Sequence, residues 1–143
     1  MFRLLPIFFL LACDDVVSND IQQIPNEELP YFNISMLNER NYPMSVDGSV
    51  YSITISSNYQ SIFKMKGITG SSRTERITWT TNNNYRWSNG IVEDYYPLVN
   101  PASYTKDGIG YSMVGFMPEM KGTSVIIYGH YHSITDSIIV NIK

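Results

Sequence analysis

Residues 76–81, Arg76-Ile77-Thr78-Trp79-Thr80-Thr81, set Ile77 and Trp79 on one side of an extended chain and Arg76, Thr78 and Thr80 on the other. That period of two is the signature of a strand with one dry face and one wet face. The pattern recurs upstream. Tyr51, Ile53 and Ile55 alternate with Ser52, Thr54 and Ser56, and Phe63 and Met65 alternate with Lys64 and Lys66, while residues 31–37 supply a plausible first strand. Downstream, residues 109–117 read as a strand closed by Pro118 to Gly122, and Ile138, Val140 and Ile142 face one way in the last strand. Val125-Ile126-Ile127-Tyr128 is apolar on both faces, which marks a central strand.

The connections are read from turn chemistry. Residues 38–49, with Pro43 and Asp47-Gly48, read as a polar loop, and the Gly- and Ser-rich residues 67–72 read as a break. Asn82-Asn83-Asn84 suits a turn needing positive φ, from which residues 85–87 are expected to return as the partner of 76–81. Residues 90–108 hold Gly90, Pro97, Pro101 and Asp107-Gly108 and read as loops with one short edge strand.

A chain of 143 residues is enough for one domain. From residue 13 onward it holds one alanine, Ala102, and three leucines against sixteen isoleucines and eleven tyrosines. Good helix formers are nearly absent while β-branched and aromatic residues abound, so the expected fold class is all-β. Ten Lys and Arg against thirteen Asp and Glu leave no basic excess for a phosphate backbone, which argues against a nucleic-acid binder. With one cysteine, no internal disulfide forms.

Residues 1–13, MFRLLPIFFLLAC, place Arg3 before an apolar run from Leu4 to Leu11, then the small Ala12 and the only cysteine. This is the layout of a secretory signal, with an apolar stretch too short to span a bilayer. Leu10-Leu11-Ala12-Cys13 resembles the lipobox of bacterial lipoproteins. The resemblance implies removal of residues 1–12 and a diacylglycerol on the Cys13 thiol, hence a membrane partner through lipid and a place in the bacterial cell envelope, periplasmic or at the outer surface. Residues 14–29 carry five acids and no base and read as an acidic tether, so that 13–29 is anchor and tether and 30–143 the domain. Residues 30–143 carry nine bases and eight acids, a balance without strong electrostatic steering.

Ile77-Thr78-Trp79-Thr80-Thr81, Gly122-Thr123-Ser124-Val125-Ile126-Ile127-Tyr128 and Thr135-Asp136-Ser137-Ile138-Ile139-Val140 resemble strands of the bacterial immunoglobulin-like domains of adhesins and surface lipoproteins. The resemblance implies an immunoglobulin-like antiparallel β-sandwich with a buried tryptophan strand. It carries little about function, because this architecture hosts many activities.

No complete catalytic constellation is visible. There is no Gly-x-Ser-x-Gly elbow, adjacent Glu93 and Asp94 point apart in an extended chain, and Gly108-Ile109-Gly110 lacks the helix of a nucleotide motif. His130 and His132, two apart, fall on the same face of a strand, and Asp136 is nearby beyond a turn, but a tetrahedral metal site needs further ligands, and neither histidine has a visible acidic partner. Met113, Met117 and Met120 are expected to fill gaps in the core. Tyr85, Trp87, Tyr95 and Tyr96 crowd a segment of loops, and flat amphipathic rings on loops bury area at low entropic cost. They form the candidate binding surface. The sequence thus leads to a non-catalytic binding or structural module that recognises an envelope or extracellular protein, without cofactor or metal. The alternatives are a glycan-binding surface lipoprotein and, after it, a small hydrolase built on residues 88–108.

Overall fold

A computed structural model of the protein describes residues 30–82, 85–86, 95–96, 98–99 and 102–143. In chain order the strands are β1 (Phe32–Leu37), β2 (Met44–Asp47), β3 (Val50–Ile53), β4 (Ser61–Thr69), β5 (Arg76–Thr81) and β6 (Tyr85–Arg86). They continue as β7 (Tyr95–Tyr96), β8 (Leu98–Val99), β9 (Ala102–Tyr104), β10 (Ile109–Phe116), β11 (Ser124–Tyr131) and β12 (Ile134–Ile142). A 3₁₀ turn over Pro118–Met120 joins β10 to β11.

One sheet has the order β1-β4-β10-β8 and the other β2-β3-β12-β11-β5-β9. Lettered by position, the first sheet reads A-B-E-D, and the second carries C, F and G as β5, β11 and β12. All pairs are antiparallel except β3 and β12, which run parallel, Tyr51 opposite Val140 and Ile53 opposite Ile142. The fold is an all-β, immunoglobulin-like sandwich.

The alternation read from the sequence becomes the inner faces. Ile77 and Trp79 on β5, Phe63 and Met65 on β4, Val125 and Ile127 on β11, and Ile138, Val140 and Ile142 on β12 are all buried. β11 is central, flanked by β12 and β5, as its two apolar faces require. In the middle of the core, two strands from opposite sheets lack side chains. A Cβ on Gly67 of β4 would lie 3.3 Å from the Phe32 ring and 3.4 Å from Trp79, and one on Gly129 of β11 would lie 3.0 Å from Phe32. Phe32 lies against both glycines, with Ile34 beside Gly129 and Ile77 and Trp79 beside Gly67, in the space between strands B and F where antibody domains place their inter-sheet disulfide. The Trp79 indole N–H donates to Ser103 Oγ at 2.8 Å, so the one polar atom of the ring is satisfied inside the core.

Several local expectations are corrected. β4 does not break at residue 67: it runs on through Gly67 and Ile68 to Thr69, because the missing side chain at 67 admits Ile77, Phe32 and Trp79. β6 does not pair with β5. Asn82 stays bound to β11, its side-chain carbonyl accepting from Ile126 N–H at 2.8 Å and its own N–H donating to Ile126 C=O at 3.1 Å. The other side of β5 is taken by β9, so β6 pairs with β7 instead. The polar loop before β3 contains an extra strand, β2, which turns into β3 at Gly48 with φ +59°. Met120 is fully buried and Met117 packs against the core, but Met113 is 43% exposed, since position 113 falls on the outward side of β10.

Candidate functional site

Three of the four aromatic residues expected to form a recognition surface are brought together by backbone pairing. Tyr85 lies opposite Tyr96, and Arg86 opposite Tyr95, in a two-stranded ribbon that belongs to neither sheet. The ribbon sits in the connection between β5 and β8, the longest in the chain between strands of opposite sheets. Trp87, Glu93, Asp94 and the lipidation candidate Cys13 lie outside the described residues.

The two histidines do not share a site. His130 lies on the outer face of β11, with Nε2 2.8 Å from Thr80 Oγ1 on β5 and Nδ1 3.0 Å from Thr135 Oγ1 on β12. It straps three neighbouring strands through two hydroxyls, each able to donate or accept. His132 sits past the strand end at φ +51°, so the alternation that would have placed it beside His130 is lost. Contrary to expectation it has an acidic partner, Glu75 Oε2 at 3.2 Å. Asp136 does not approach either ring: it belongs to β12 itself and turns toward β1. Among the described residues, no group of three or more His, Cys, Asp or Glu converges as a metal site would require.

Asp136 is the centre of a feature that the sequence did not reveal. β1 ends its sheet, and two of its outward N–H groups are taken by side chains of the opposite sheet. Ile34 N–H donates to Asp136 Oδ2 at 2.8 Å, and Met36 N–H donates to the Tyr51 hydroxyl at 3.2 Å. Asp136 Oδ1 accepts from Ser137 N–H at 2.9 Å, and the Asn33 amide approaches Oδ2 at 3.5 Å. These bonds hold the carboxylate in one orientation and blunt an edge strand that would otherwise offer itself for pairing.

Beside this seam lies a half-enclosed groove of about 250 Å³. Ile34, Tyr51 and Ile138, all nearly fully buried, close its bottom. Its polar rim comes from Asn33 and Ser35 on β1, Ser49 in the β2–β3 turn, and Asp136 and Ser137 on β12. No local motif could have announced it, since its residues come from three segments about 15 and 90 positions apart that meet only because β1 crosses over β12.

A second exposed feature lies on the outer face of the four-stranded sheet. Lys64 Nζ stands 4.4 Å over the Tyr111 ring and 3.1 Å from Glu39 Oε1, with Met113 alongside as the cross-strand partner of Lys64. This is a solvent-facing cation–π contact. The sequence matches no protein-family model, and no curated protein is significantly similar to it.

Proposed function

We propose that this protein is a lipid-anchored module of the bacterial cell envelope that binds a partner without chemically transforming it. The N-terminal MFRLLPIFFLLAC supports the anchor, through the basic residue, short apolar run and terminal cysteine of a lipoprotein signal. The observation that carries the binding role is the tyrosine ribbon. β6 and β7 pair with each other, Tyr85 opposite Tyr96 and Arg86 opposite Tyr95, and join neither sheet. Tyrosine and arginine are the residue types that dominate recognition surfaces, and a ribbon carried on a rigid sandwich is where such residues act.

The test is a pull-down from envelope extracts with the mature chain and with Tyr85→Ala, Trp87→Ala, Tyr95→Ala and Tyr96→Ala made singly. A recognition surface loses its partner in these variants while the melting temperature barely moves. If all four destabilise the domain and none alters capture, the surface lies elsewhere. Mass spectrometry of the mature protein tests the anchor: an unmodified Cys13 would overturn it. Glycan binding is the second reading, and the groove beside Asp136 is the observation that favours it.

A further inference from the structure

We infer that the groove between β1, the β2–β3 turn and β12 is a subsite for a single neutral sugar ring. The inference rests on the reading of the protein as a binding module and names a ligand class for a part of it separate from the tyrosine ribbon.

The volume comes first. About 250 Å³ admits one pyranose and is too small for a folded peptide element or a nucleotide. The chemistry of the walls then selects among small ligands. A carboxylate is a poor host for an anion, which excludes phosphates and acidic sugars at the position of Asp136. A divalent cation needs several oxygen ligands, whereas the groove has a single carboxylate, and both of its oxygens already receive N–H bonds from Ile34 and Ser137. What remains favoured is a neutral ligand rich in hydroxyl groups. Each Asp136 oxygen keeps acceptor capacity for a ligand O–H, while its orientation is fixed in advance by the backbone. The Asn33 amide both donates and accepts, and the hydroxyls of Ser35, Ser49 and Ser137 stand on the rim, where they serve either role. Ile34, Tyr51 and Ile138 close the bottom of the groove, but they are nearly fully buried, so the lining a ligand meets is mainly polar. Tyr51 also belongs to the seam, its hydroxyl accepting from Met36 N–H at 3.2 Å.

The test uses the mature chain, residues 13–143, carrying Cys13→Ser to keep it in solution, labelled with ¹⁵N and titrated with glucose, galactose, mannose and N-acetylglucosamine. At least one of these sugars is expected to shift the amides of residues 33–35, 48–51 and 136–138 with a dissociation constant on the order of 1 mM, as befits a ligand of about a dozen heavy atoms. Asn33→Ala and Ser137→Ala, which leave the bond from Ile34 to Asp136 in place, should each weaken that sugar about tenfold, the loss of roughly one hydrogen bond. Asp136→Ala is avoided because it also releases β1. If none of the four sugars shifts the groove amides, or both rim variants bind as the parent does, the subsite is overturned. Shifts confined to residues 85–96 would also overturn it while leaving the binding role intact, and failure of the binding role is read separately in the pull-down.

Discussion

The two long sides of the sandwich are closed by different means. On one side β1 meets β3 and β12, and the closure is made by side chains: Asp136 takes the Ile34 N–H and Tyr51 takes the Met36 N–H. On the other side the chain itself crosses. β9 leaves the six-stranded sheet and, after the turn at Asp107-Gly108, enters the four-stranded sheet as β10. That crossing is tied by main-chain bonds, Thr69 N–H to Gly108 C=O at 2.8 Å and Thr105 N–H to Glu75 C=O at 2.8 Å, and by Trp79 to Ser103 inside. Thr105 Oγ1 adds a reciprocal pair, accepting from Glu75 N–H at 2.8 Å and donating to Arg73 C=O at 3.1 Å. A side closed by two side chains leaves room between them, and the groove occupies that room.

The comparison breaks most severely at Trp79. Trp79→Ala empties the core next to the chain-closed side and should cost about 3–5 kcal/mol, enough to unfold many single domains. Urea denaturation monitored by far-ultraviolet circular dichroism checks this, and a variant with the parent's midpoint would contradict the packing described. On the other side, Asp136→Ala leaves Ile34 N–H without its charged acceptor and should cost about 2 kcal/mol in the same assay. Hydrogen exchange sharpens that result, because the Ile34 and Met36 amides should lose protection well before those of Val125 and Ile127. A uniform loss of protection across both sheets would mean that the side-chain closure is not a separable unit. Smallest of the three is Tyr51→Phe, which removes one neutral acceptor at 3.2 Å and should cost about 1 kcal/mol, with accelerated exchange limited to Met36.

The faces of the strands were readable from the sequence because period two survives any change of partner. Ile77 and Trp79 point inward whether β5 pairs with β6 or with β11, and the reading of 76–81 as a strand coincides with β5 to the residue. Pairing itself was not readable. Asn82-Asn83-Asn84 has the chemistry of a tight turn, yet the competing bonds of Asn82 to Ile126 hold it against β11, a tertiary choice that local propensity does not encode. β2 was missed for the opposite reason. Ser45, Val46 and Asp47 are all exposed and only Met44 is half-buried, so the strand carries no amphipathic signal. Met113 was misassigned because methionine in a strand fits either face. Of the candidate binding residues, adjacency in sequence suggested that Tyr85, Tyr95 and Tyr96 lie together, and their backbones do pair. The groove was out of reach, since Asn33 and Asp136 are 103 positions apart and nothing short of the topology brings them to 3.5 Å.

The parallel pairing of β3 with β12 has a temporal consequence. Ile55 N–H donates to Lys143 C=O, and Lys143 N–H donates to Ile53 C=O, so β3 is completed by residues about 90 positions downstream. During vectorial synthesis β3 must wait, with β2 as its only sheet partner among the described strands, until β12 is made. Such distant contacts make closure slow and leave one edge of β3 unpaired meanwhile, so the vulnerable interval of folding is the one before β12 docks.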